Sequence, residues 1–280
     1  MQINRYCSLF SALTSALVAF LSVSVLYGAD NPERYPLPAT SIQFKAFDGS
    51  LERYLEYAPP TFDESKTTTL FIILHGHGSD CEQGFSGKNA EFRAFNDVAE
   101  THNAIVVSPD YRAKTSWMGP AAEKDLVQII EEQKAKRRID RVVLSGGSMG
   151  ASSTFSFIAL HPELIDGAIA CNGTANHIEY ENFQDAISAS FGGSKSEVPQ
   201  EYKNRSGEYF PERFLGIKIA ITLGGQDSVV PPDSARRLAS AIQKLGGEVL
   251  VIDRPEIGHW TNYDDSFEAA SYVFDKLDAK

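Results

Sequence analysis

The chain has 280 residues and a formal net charge of −11, with 42% apolar and 22% charged residues. This is an ordinary globular composition, which excludes large-scale disorder, and its acidity disfavours nucleic acid and anionic lipid head groups as partners. The basic run Lys134–Arg138 ends a predicted helix, where cations complement the dipole, and does not alter that balance.

Residues 1–29 stand apart. Arg5 precedes an uncharged apolar stretch ending at Gly28-Ala29, the pattern of an export signal cleaved after small residues. The stretch is also long enough for an uncleaved membrane anchor, the only basis for a membrane partner. The expected locale is the periplasm or the exterior, and the folded domain is read from residue 30 onward.

Ser41–Phe47 and Leu51–Ala58 alternate around Asp48-Gly49, a hairpin signal. Thr69–Leu74 is an unbroken apolar run, as expected of a strand buried on both faces. A helical pattern covers Glu91–His102, and Ala104–Ser108 is a strand stopped by Pro109. Ala121–Lys136 is an amphipathic helix with Leu126, Ile129 and Ile130 inward. Arg141–Leu144 is a strand, and Ser148–Leu160 a small-residue helix ended by His161-Pro162. Further strands are predicted at Gly167–Cys171, Ile217–Leu223 and Glu248–Ile252, and helices at Asp233–Leu245 and Asp264–Leu277. Strands alternating with helices imply a mainly parallel sheet covered on both faces, with ligands at the carboxyl ends of its strands. The aromatic-rich stretch 174–215 breaks the alternation and reads as a lid-like insertion over those ends.

The residues after each strand carry the chemistry. Gly146-Gly147-Ser148-Met149-Gly150 fits G-x-S-x-G and joins a predicted strand to a predicted helix, as a nucleophile elbow requires. Small neighbours let the serine take a tight, strained turn at a helix N-terminus, where free N–H groups favour negative charge. The motif lacks the lysine of a phosphate loop. Of six histidines, His259 follows the last strand at the same edge, while His102 and His161 end helices and are expected to serve as caps. A serine–histidine pair needs an orienting acid. Asp227, after the strand Ile217–Leu223, is the first choice and Asp253 the second. The order Ser148, Asp227, His259 is that of triads on this kind of sheet. The oxyanion would be met by backbone N–H groups: Met149 after the nucleophile, and His77, or else Gly76 or Gly78, after the central strand. Trp117, Trp260 and the aromatics of the 174–215 stretch, Phe183 among them, are candidates for lining the substrate pocket, core packing being the competing role. His75 and His77 lack a third ligand nearby, so no metal is expected, and no organic cofactor is implied. Cys81 and Cys171 are either bridged or free.

LHGHGS at 74–79, GGSMGA at 146–151, GGQDSVVPP at 224–232 and GHW at 258–260 together resemble the α/β-hydrolase superfamily. Within it the chain is most similar to compact exported esterases grouped with prolyl-oligopeptidase-like and feruloyl-esterase-like families. The resemblance implies an α/β-hydrolase fold: a mostly parallel, eight-stranded twisted sheet with helices on both faces. It implies a serine hydrolase acting on small-molecule or saccharide esters through Ser148, His259 and Asp227. The segment from residue 30 to the first buried strand is too short for the N-terminal propeller of prolyl oligopeptidases, which favours ester over peptide substrates. A peptidase or amidase with the same triad, and a non-catalytic binding protein on the same scaffold, are the alternatives.

Overall fold

The computed structural model describes residues 29–279, so the expected export signal or anchor lies, apart from Ala29, outside the described residues. Among the described residues, no helix is long and apolar enough to cross a membrane.

The strands are β1 (Thr40–Lys45), β2 (Leu51–Tyr57), β3 (Thr68–Leu74), β4 (Ala104–Pro109), β5 (Ile139–Gly147), β6 (Gly167–Cys171), β7 (Lys218–Gly224) and β8 (Val249–Arg254). They form one eight-stranded sheet in the order β1-β2-β4-β3-β5-β6-β7-β8. The β1–β2 and β2–β4 pairs are antiparallel and every other pair is parallel. The predicted hairpin is present, with Gly49 at φ 87° in its turn.

The helices are α1 (Ala90–Thr101), α2 (Pro120–Lys136), α3 (Met149–Leu160), α4 (Gln184–Phe191), α5 (Pro199–Asn204), α6 (Asp233–Lys244) and α7 (Tyr263–Asp278). Two apolar layers sandwich the sheet. Leu70, Ile72 and Leu74 of β3 join the layer of α2, α3 and α6, whereas Phe71 and Ile73 join that of α1 and α7. Successive strand side chains point to opposite faces, so burial on both sides requires the continuous apolar run seen in β3.

β5 outruns its predicted end at Leu144. Ser145, Gly146 and Gly147 stay in register with Ile169, Ala170 and Cys171, carrying the ladder to the edge of the turn. The 174–215 stretch forms α4, α5 and two short 3-10 turns. Ile187, Phe191, Tyr202 and Phe214 are buried, and Ser156 of α3 donates to Arg205 O at 2.8 Å, tying the stretch to the body. His102 and His161 stand at helix ends, but their side chains bond Asp278 and Glu123, bridging elements instead of capping them. Cys81 and Cys171 are free and buried.

Candidate active site

The site is built at the carboxyl end of β5. Ser148 holds φ 57° and ψ −118°, a conformation that side-chain-bearing residues avoid. The surrounding packing imposes it. A Cβ on Gly150 would lie 2.2 Å from the Leu74 carbonyl oxygen, and one on Gly146 would lie 2.5 Å from the Gly150 carbonyl carbon. Only bare backbone lets α3 start this close to β3 and β5. Ser148 N–H donates to Cys171 O at 2.8 Å, which pins the elbow to β6.

His259 comes from the loop between β8 and α7. Its Nε2 lies 2.8 Å from Ser148 Oγ and its Nδ1 lies 2.6 Å from Asp227 Oδ2. The other Asp227 oxygen accepts the N–H groups of Val229 at 2.9 Å and Val230 at 2.8 Å, so the carboxylate is fixed at both ends. The loops bearing Asp227 and His259 are themselves joined: Gly225 N–H donates to Arg254 O and Gln226 N–H to Ile257 O, both at 2.8 Å. Asn172, at the end of β6, accepts from Gly224 N–H at 3.0 Å and donates to Thr261 Oγ1 at 3.1 Å. It thereby locks the ends of β6 and β7 to the histidine loop. Asp253, the second-choice acid, is instead paired with Arg236 on the surface at 2.7 Å.

These groups border a cavity of about 350 Å³ lined in part by Gly76, His77, Ser148, Phe183, His259 and Trp260. In the loop after β3, Gly76 N–H is committed to Gln83 Oε1 at 2.7 Å and Gly78 N–H to Lys114 O at 2.7 Å. Among the described residues no acceptor engages the His77 N–H, and the same holds for the Met149 N–H at the start of α3. The Met149 side chain is buried in the core, so any part it plays at the site falls to its backbone.

The sequence model of the prolyl oligopeptidase family matches residues 111–273. The chain belongs to this family of serine hydrolases. No curated protein sequence is significantly similar to it. Among solved structures, a puromycin hydrolase superposes with TM-score 0.71 at 16% identity, covering 89% of this chain and 40% of the other. Dipeptidyl peptidase 4 of Porphyromonas gingivalis gives 0.69 at 15%, covering 86% and 36%. A thermostable esterase gives 0.57 at 19%, covering 86% and 60%. At such identities the shared property is the α/β-hydrolase fold, and the chain spans only part of the length of each of these proteins.

In this member of the prolyl oligopeptidase family, the two tryptophans part company. Trp260 is 56% exposed and lines the cavity, whereas Trp117 is wholly buried and does not. Trp117 is therefore corrected from pocket wall to support. Its indole N–H donates to His77 Nδ1 at 3.1 Å, leaving Nε2 as the protonated nitrogen of a neutral ring. Burial pulls the His77 pKa down, favouring that neutral form, and Phe183 lies against the ring at 4.4 Å between centroids. The ring nitrogens of His75 lie 2.9 Å from Gly76 O and 3.2 Å from Asp110 O, of which a neutral ring can donate to one. Phe183, one of the aromatics of the 174–215 stretch expected near the pocket, lines the cavity, whereas sequence reasoning missed Gln83, Asn89, Glu91 and Asn172 as lining residues. The signal for Glu91 and Asn89 was available: they start the helix that follows β3, hence they stand on the same rim.

Proposed function

We propose that the chain hydrolyses carboxylic esters through an acyl-enzyme on Ser148. Ser148 Oγ attacks the carbonyl carbon as its proton passes to His259 Nε2, and Asp227 stabilises the imidazolium. The N–H groups of His77 and Met149 receive the oxyanion, each contributing roughly 3 kcal/mol to barrier lowering. His259 then protonates the departing alkoxide. Water attacks the acyl carbon by the reverse route and restores the serine. The observation that carries this is the unbroken hydrogen-bonded chain Asp227–His259–Ser148 opening on a cavity.

Cleavage of an amide or peptide bond by the same residues is the second reading, favoured by the family and by the peptidases among the structural neighbours. Fluorophosphonate should label Ser148, and Ser148→Ala should abolish both labelling and turnover of p-nitrophenyl esters. Persistent turnover in Ser148→Ala sinks the proposal. A matched ester and anilide, each referred to its spontaneous hydrolysis, separates the readings: a larger acceleration for the anilide replaces the first with the second. Export through residues 1–29 is proposed on their composition alone, and sequencing the N-terminus of the protein recovered from its native host tests it.

A further inference from the structure

Glu91, the second residue of α1, lines the cavity together with Gln83, Asn89, Gly147 and Ser148. Its Oε1 lies 3.2 Å from where a Gly147 side chain would begin, one residue before the nucleophile. A directed string of hydrogen bonds leads to it. Gly76 N–H donates to Gln83 Oε1 at 2.7 Å, which obliges the Gln83 amide to turn its NH2 outward. That NH2 meets Asn89 Oδ1 at 3.4 Å, and the Asn89 NH2 in turn donates to Glu91 Oε1 at 3.3 Å. Main-chain geometry thus aims two amides so that they hold a carboxylate in place, and every side-chain donor in the string is neutral.

No Lys or Arg side chain lines the cavity among the described residues. The nearest cation in sequence, Arg93, is occupied by Asp30 at 2.6 Å and by Gly87 O at 2.7 Å. Glu91 forms no ion pair among the described residues, yet it is half-buried beside the reacting serine. Burial pushes its pKa up, opposed in part by the Asn89 hydrogen bond and by the Arg93 and His259 charges, and a bound cation would favour the carboxylate further. Glu91 borders the space a substrate would fill.

We propose that Glu91 anchors a positively charged ammonium group of the substrate, making the preferred substrates cationic esters or amides. This rests on hydrolysis at Ser148. A purely structural role for Glu91 at the start of α1 predicts no change in substrate choice when the carboxylate becomes an amide.

The test compares charged substrates with neutral isosteres. On the acyl side these are the p-nitrophenyl esters of 4-(trimethylammonio)butanoate and 5,5-dimethylhexanoate. On the leaving side they are acetylthiocholine and the thioacetate of 3,3-dimethylbutanethiol. In Glu91→Gln the ratio of kcat/KM for the cationic over the neutral member should fall about tenfold in at least one pair, equivalent to about 1.4 kcal/mol. An unchanged ratio in both pairs overturns the inference and leaves the hydrolase reading intact. Absence of all turnover and of fluorophosphonate labelling in the unaltered protein removes both. A second measurement needs no variant: butyltrimethylammonium should protect Ser148 from fluorophosphonate at lower concentration than 1-butanol, and equal or weaker protection overturns the inference.

Discussion

Replacing Asp227 by Asn changes one oxygen to an NH2 group at a site where each atom is spoken for. Asp227 Oδ1 already accepts two backbone N–H groups, so the amide oxygen of Asn would take that position and the NH2 would face His259. An NH2 group donates, which forces His259 Nδ1 to accept and moves the ring proton to Nε2. Nε2 then presents a proton to Ser148 across the 2.8 Å contact and has no lone pair to receive one. The expected loss is about 10⁴ in kcat, or about 5 kcal/mol of barrier. Folding should suffer little, about 1–2 kcal/mol, because the two turn bonds survive. Asp227→Ala would instead strand the Val229 and Val230 N–H groups, at about 1–3 kcal/mol each. The assay is kcat on a p-nitrophenyl ester alongside fluorophosphonate labelling rate and a melting curve for both variants. A folded Asp227→Asn protein keeping more than about a tenth of wild-type kcat would refute tautomer control by this carboxylate.

Gly150→Ala places a methyl 2.2 Å from the Leu74 oxygen and should destabilise by about 3 kcal/mol in urea titration, whereas Gly192→Ala, at φ 86° in open space, should cost about 1 kcal/mol. Equal costs would contradict the close packing of α3 on β3. His177 is wholly buried, and its pKa is pulled down to about 3, chiefly by burial. The unfolded chain thus binds the extra proton between about pH 6.5 and 3, so this histidine's stabilising contribution is lost as pH falls through that window, by up to about 1.4 kcal/mol per unit. His177→Gln should show a shallower decline than wild type between pH 7 and 5, and parallel curves would refute the assignment. Burial pushes the Cys171 thiol up to about 12 and Cys81 further still, so mass mapping should find both unmodified by a thiol reagent at pH 8 until denaturant is added. Rapid labelling of either in the native protein would contradict their burial.

The alternating pattern was legible because each buried strand, such as β3, needs an unbroken apolar run that no surface segment shares. The Ser148, Asp227 and His259 positions were legible because all three follow strands, and a parallel sheet brings such positions to one rim. Other features depended on what no pattern encodes. Trp117 and Trp260 are chemically alike, and which one faces the cavity is set by the turn preceding α2, where Trp117 and Met118 take positive φ. The choice among Gly76, His77 and Gly78 required knowing that Gln83 and Lys114 occupy two of the three N–H groups. Local hydrophobicity is silent on such long-range pairing. The rim position of Glu91 followed from its place at the start of the helix after β3, but its closeness to Gly147 required the packing of α1 against the elbow.

The two main-chain bonds linking the β7 and β8 loops have a mechanical consequence. They fasten the acid's loop to the base's loop, Asn172 fastens both to the end of β6, and the Ser148 N–H bond fastens the nucleophile's turn to that same strand. Acid, base and nucleophile are thus braced as one unit. A strain applied to any one loop is shared among three strand ends before it reaches the Ser148–His259 contact.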